Sequence, residues 1–180
     1  MNENDSTKQT GQGMYYIAWI LAIFLFYLLF DGVVKNRINP NQQPVSHNTQ
    51  FSTEVILNRN YAGHYVANGR INNIAVTMLV DTGATSIAIP ENIAKEMGLT
   101  KGQSIQVSTA NGFSRAWLTT INSLTIGDIQ LFNLQATINP GMNHSDEILL
   151  GMAALRYLDF SQKGDALILQ QIKPLTENLQ

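Results

Sequence analysis

The 180-residue chain carries 11 Lys and Arg against 13 Asp and Glu, a formal net charge of −2, and it contains no cysteine. That balance excludes a basic nucleic-acid surface, and the missing thiols exclude disulfides, thiolate zinc sites and a cysteine nucleophile. With the N-terminal fifth set aside, the remaining length suffices for one modest domain with its own core.

Residues 1–13 are polar and lack apolar periodicity, which predicts a disordered tail. No ionisable residue lies between Lys8 and Asp31, and residues 14–34 read as a transmembrane anchor. Tyr15, Tyr16 and Trp19 gather at one end of the run as an aromatic belt would, and Lys35 and Arg37 follow at the other. No small-x-small cleavage site follows Phe30, which favours an uncleaved anchor over a signal peptide. One lysine before the run against two basic residues after it tips the charge rule slightly toward a cytoplasmic C-terminal part. Residues 35–53 are polar, carry Pro40 and Pro44 and show no apolar repeat, so they read as a flexible linker in which His47 is solvated.

Residues 54–173 read as one mainly β domain, and residues 174–180 as a tail. Two strand-like runs, 65–71 and 74–80, flank Asn72-Asn73, a pair that tolerates the positive φ of a tight hairpin. The second run is apolar on both faces, as a central strand is, and ends on Asp81. A short strand at 87–89 leads through Pro90 into a helix over 91–97, with Glu91 and Lys95 spaced as an i,i+4 pair and Gly98 as its stop. Residues 103–109 and 113–121 form a hairpin about Ala110-Asn111-Gly112, and 124–126 with 131–138 form another about Gly127-Asp128. A loop at 139–141, an apolar run at 148–150, a helical spacing of Met152, Leu155 and Leu158, and a strand over 166–172 complete the domain. Short strands, two short helices and frequent turns predict a small closed or partly closed β-barrel.

Chemistry concentrates in Asp81-Thr82-Gly83-Ala84. An apolar strand delivers one acid into a turn where a hydroxyl can orient it and a glycine lets backbone N–H groups approach its oxygens, the requirements of an aspartic protease loop. The plainer reading is an Asx turn with ordinary turn formers. His64 and His144 have no partner His at i,i+4, and no serine-hydrolase, zinc-protease or P-loop motif occurs, so no metal and no cofactor is expected.

Taken with its flanks, the stretch resembles the retropepsin-like aspartic proteases, in particular their membrane-anchored bacterial branch. Four segments carry the resemblance in order: the strand into Asp81-Thr82-Gly83-Ala84, then Ile87-Ala88-Ile89-Pro90, then Thr109-Ala110-Asn111-Gly112, and finally Ile148-Leu149-Leu150-Gly151 before a helix. The resemblance implies the retroviral-type acid-protease barrel, Asp81 as catalytic acid, Thr82 as the lock between two active-site loops and Gly83 as backbone donor to the carboxylate. It further implies Thr109, Ala110, Asn111 and Gly112 as a flap over substrate, and Gly151 as the close-approach glycine beneath the loop. A single-pass protein of the bacterial inner membrane with a periplasmic protease domain is implied as well, against the slight charge bias.

No second Asp-Thr-Gly or Asp-Ser-Gly occurs, and the domain is too short for an internal duplicate. A water-activating pair of carboxylates therefore requires Asp81 from each chain of a homodimer. The substrate is expected to be an extended polypeptide lying between flap and floor, with Ile87, Ile89, Val107, Phe113 and Leu149 as candidate pocket linings. Two classes remain: an aspartic endopeptidase, or a membrane-tethered β-barrel that dimerises or binds peptides without cutting them.

Overall fold

The computed structural model describes residues 4–109 and 112–174 and falls into two units, Met1–Arg37 and Ile38–Gln180. The first unit is a helix, α1, which runs Asn4–Ile38. It begins inside the stretch expected as a disordered tail, because a helix nucleated in the apolar run adds a hydrogen bond per residue as it extends. Its Met14–Ile38 portion is long and apolar enough to cross a membrane, and its first seventeen residues, 14–30, carry no charge. At its end the Lys35 ammonium lies 2.7 Å from Asp31, one turn back.

The second unit is two sheets. The larger has seven strands in the order β3-β4-β9-β5-β8-β7-β6: β3 Tyr65–Ile71, β4 Ile74–Val80, β5 Ile87–Pro90, β6 Ser104–Thr109, β7 Gly112–Ile126, β8 Ile129–Asn139 and β9 Glu147–Leu150. An extra pairing of Arg70 and Ile71 with Thr125 and Leu124 joins β3 to β7, so the sheet curls into a partly closed barrel. Gly69 permits that closure, since a Cβ there would collide with the carbonyl of Thr125. Met78, Ile87, Ile89, Ile121, Ile138 and Ile148 fill the interior and are fully buried.

The hairpin between β3 and β4 turns on Asn72 and Asn73, at φ 47° and 66°, the backbone of a tight I′-like turn. β7 is one continuous strand rather than the two expected. The polar break at Asn122-Ser123 is where the hairpin tip docks: Asn72 Oδ1 accepts from the backbone N–H groups of Asn122, at 2.8 Å, and Ser123, at 3.1 Å. A helix α2, Glu91–Glu96, follows β5, and the chain leaves it through Gly98 at φ 66°. Glu91 receives both Lys101, at 2.6 Å, and Lys95, at 3.5 Å. The hydrogen bond from Lys101 above all holds the Glu91 carboxyl below the ordinary carboxylate range.

The smaller sheet has four antiparallel strands in the order β1-β2-β11-β10: β1 Val45–Asn48, β2 Ser52–Asn58, β10 Asp159–Lys163 and β11 Ala166–Ile172. Much of the stretch expected as a flexible linker is therefore folded. Asn41 is 3% exposed, and it ties two strands together. Its amide donates to the carbonyls of Asn58, at 2.8 Å, and Val66, at 2.7 Å, and its Oδ1 accepts from the Asn58 N–H at 2.7 Å. Asn39 Nδ2 donates to Asn68 Oδ1 at 2.8 Å. Polar composition suggested a tether; here the amides substitute for ladder hydrogen bonds and are buried because they are satisfied.

Candidate active site

Asp81 sits at the C-terminal end of β4, which runs parallel to β9 with Val80 opposite Leu150. Its backbone N–H continues that ladder to the carbonyl of Leu150, at 3.0 Å, so the rigid centre of the sheet sets the carboxylate's position. The turn that follows folds back on the acid. Gly83 N–H donates to Asp81 Oδ1 at 2.8 Å, and Ala84 N–H reaches the Asp81 carbonyl at 3.2 Å. A side chain at position 83 would stand 3.2 Å from the same Oδ1. Thr82 is exposed, and its hydroxyl has no partner among the described residues.

Beneath the turn lies the start of a helix, α3, Met152–Leu155. Its first N–H groups donate outward, Met152 to the carbonyl of Ala84 at 2.8 Å and Ala153 to that of Thr85 at 2.9 Å. This arrangement needs Gly151. A Cβ at that position would come within 2.5 Å of the carbonyl oxygens of both Ala84 and Ser86, closer than any side chain tolerates. Gly151 is fully extended rather than left-handed, at φ −97° and ψ −167°, so close approach and not backbone conformation demands the glycine.

Above Asp81 opens a cleft of about 600 Å³ in which it is the one carboxylate among the lining residues. Val107 and Ser108 of β6, Leu149 of β9, Ala88 of β5, and Thr137, Asn139 and Met142 line it. A second, more apolar cleft of about 530 Å³ shares Thr85, Ser86, Val107 and Thr137 with it and extends over Leu118 and Met152. The two clefts adjoin at these shared residues.

Of the expected pocket linings, Val107 and Leu149 face the cleft. Ile87 and Ile89 do not: both are fully buried in the core, where β5 is packed on both faces. Phe113 is 77% exposed and lines neither cleft. In the expected flap, Thr109 pairs with Gly112 at the last rung of the β6–β7 ladder, and Gly112 has φ 104°. Ala110 and Asn111 lie outside the described residues. Sequence reasoning missed Thr85, Ser86, Thr137 and Asn139. The Asn139-Pro140-Gly141 turn was legible, and its cause is a side-chain clasp: Asn139 Oδ1 accepts from Gly141 N–H at 2.9 Å and from the Ser114 hydroxyl at 3.4 Å.

Residues 67–157 match the family model described as gag-polyprotein putative aspartyl protease. The chain belongs to that family. A solved retropepsin-like aspartic protease from Rickettsia conorii is 28% identical, with a TM-score of 0.56 over 71% of this chain and 99% of its own. Two uncharacterised bacterial proteins are also similar. One, from the cobV 5′ region of a Sinorhizobium species, is 28% identical over 87% of this chain and 72% of its own length. The other, from Rickettsia prowazekii, is 33% identical over 64% of this chain and 51% of its own. In this retropepsin-like chain Asp81 and Gly83 line the cleft, and Gly151 packs against the carbonyls of Ala84 and Ser86 in the turn that carries them.

Proposed function

We propose that the protein is a membrane-anchored aspartic endopeptidase, active as a homodimer in which Asp81 of each chain activates one water for peptide-bond hydrolysis. The observation that carries this reading is the Asp81 carboxylate, held by Gly83 N–H on the floor of a cleft that offers no second acid. Peptide hydrolysis needs a base to take the water's proton and an acid to polarise the scissile carbonyl. Two carboxylates brought together cannot both ionise, so the pair shares a proton and supplies both roles. Gly83 N–H fixes the orientation of the Asp81 carboxylate, while the exposed Thr82 hydroxyl is free to lock against the partner's loop across the two-fold axis.

Substrate lies extended between the Asp81 floor and the 109–112 hairpin tip, gaining affinity from backbone hydrogen bonds. The small and apolar linings Ala84, Ala88, Val107 and Leu149 favour apolar side chains beside the cut. Met14–Ile38 anchors the enzyme as a single-pass protein of a bacterial inner membrane, with the protease domain on the periplasmic side, and confinement to one bilayer raises the effective concentration for pairing. Replacing Asp81 with Asn tests the chemistry. Cleavage of an unfolded substrate should fall by about a thousandfold, with folding and dimerisation unchanged. Residual cleavage equal to wild type would overturn the reading, and protease digestion of intact spheroplasts tests the orientation.

A further inference from the structure

The apolar helix and the protease domain are joined with no slack in the chain. α1 runs to Ile38, and the next residue, Asn39, is already buried in the domain. Asn39 Nδ2 donates to Asn68 Oδ1 at 2.8 Å, and its own Oδ1 accepts from the Asn41 N–H at 2.9 Å. The Ile38 carbonyl itself accepts from Asn60 Nδ2 at 3.0 Å. A protease on a long flexible tether would roam far from the bilayer, whereas here the point of attachment is part of the fold.

A short path leads from that point to the catalytic acid. Asn60, which holds Ile38 through its side chain, donates its N–H to the carbonyl of His64 at 2.8 Å. Tyr65 follows and stands opposite Val80 across the β3–β4 ladder, and Asp81 is the next residue. Taken at their longest, these steps separate the Cα atoms of Ile38 and Asp81 by at most about 30 Å, whatever direction α1 takes. Ile38 stands four residues past Val34, a rise of about 6 Å along a helix, which matches the headgroup layer on one side of a bilayer, about 5–8 Å. On the reading that Met14–Ile38 spans a bilayer, Ile38 lies at the lipid surface. The exposed Tyr61, beside Asn60, carries the amphipathic ring that such interfaces favour.

We propose that the enzyme's substrates are proteins held in the same bilayer, cut in the extended segments that follow their membrane exits. The proposal rests on the reading of the chain as an anchored peptidase and adds which polypeptides reach it. A flexible segment leaving the bilayer has a root-mean-square length of 30 Å at about 30 residues. The cut therefore falls within about that many residues of the lipid, where effective concentration is highest. Unfolded polypeptide free in solution offers the same backbone but lacks the confinement that raises the local concentration of a bilayer neighbour.

The test uses the full chain reconstituted in vesicles with a single-pass reporter whose exposed segment lies on the same face as the protease domain. The reporter carries one cleavable sequence, taken from cuts mapped in an unfolded soluble protein, behind a Gly-Ser spacer of chosen length. Cleavage should be fastest with a spacer of about 30 residues or fewer and about eightfold slower at about 120, since effective concentration falls as the −3/2 power of length. Inserting about 90 Gly-Ser residues between Arg37 and Ile38 should shrink that difference to about twofold, because enzyme and substrate then both hang on long chains. Equal rates at all spacer lengths, or a difference that the insertion leaves untouched, would overturn the proposal while cleavage of the soluble unfolded protein upholds the peptidase. Failure to cut either substrate would overturn the peptidase reading itself, and this proposal with it.

Discussion

The seven-stranded and four-stranded sheets are stabilised by different means. In the larger sheet the Asp81 turn is fixed by backbone against backbone, with apolar strands on either side and a glycine where α3 must come close. In the smaller sheet the Asn41 side-chain amide clasps β2 to β3 of the larger sheet, and the β10 edge is exposed. The first arrangement suits a site that must not move; the second leaves an edge strand open to solvent. Changes in the first sheet should therefore cost stability and chemistry together, and changes in the second should cost stability alone.

The sharpest way to break that contrast is Gly151→Val, which forces a side chain against the carbonyls of Ala84 and Ser86. It should lower stability by about 4 kcal/mol by urea denaturation and abolish cleavage; a stable, active variant would show that the close approach is not needed. Next in size is Asn41→Ala, which leaves the Asn58 N–H and the Val66 carbonyl without partners and should cost about 3 kcal/mol. Its cleavage per folded molecule should survive, since the loss falls in the smaller sheet's clasp. The same clasp bears on removing the anchor. A chain cut before Ile38 keeps Asn39, Asn41 and β1, whereas one cut near Phe51 loses them and confounds anchoring with folding. Only the first cut should retain full stability while losing activity at nanomolar concentration.

A smaller effect is expected at Asn73, where Asn73→Val must hold a β-branched residue at φ 66° and should cost about 1–2 kcal/mol, while Asn73→Gly should cost nothing. The smallest concerns Glu91. Its carboxyl is held low by Lys101, so the stability it contributes is present above the ordinary carboxylate pKa and lost as pH falls through the lowered one. The melting temperature of the wild type should drop slightly below about pH 4, and Glu91→Gln should flatten that part of the profile. A steeper drop in the variant would contradict the assignment.

How far each region was legible follows the same division. β3, β4 and their Asn72-Asn73 turn were readable because apolar alternation and positive-φ residues are local signals, and Asp81-Thr82-Gly83 was readable because its flanks are apolar. β10 was invisible, since Asp-Phe-Ser-Gln-Lys is exposed on both faces and a strand with no buried face has no alternation to detect. β1 was hidden for a related reason: its edge is satisfied by Ser46 and Asn48, whose polarity read as linker. Within the site, Val107 and Leu149 could be nominated from apolar spacing, but so could Ile87 and Ile89, and only the sheet order separates wall from core. Thr137 gave no signal and Asn139 read only as a turn residue, because their place in the cleft depends on β8 running parallel to β5, a long-range fact.

The central claim is that each chain supplies half of one reaction centre. It is tested most directly by titrating wild-type chain with Asp81→Asn chain at constant total concentration, under conditions where subunits exchange. If both carboxylates act on one water, cleavage should fall as the square of the wild-type fraction, because mixed dimers are inert. A linear fall would mean that a single Asp81 suffices, and would contradict a reaction centre shared between two chains.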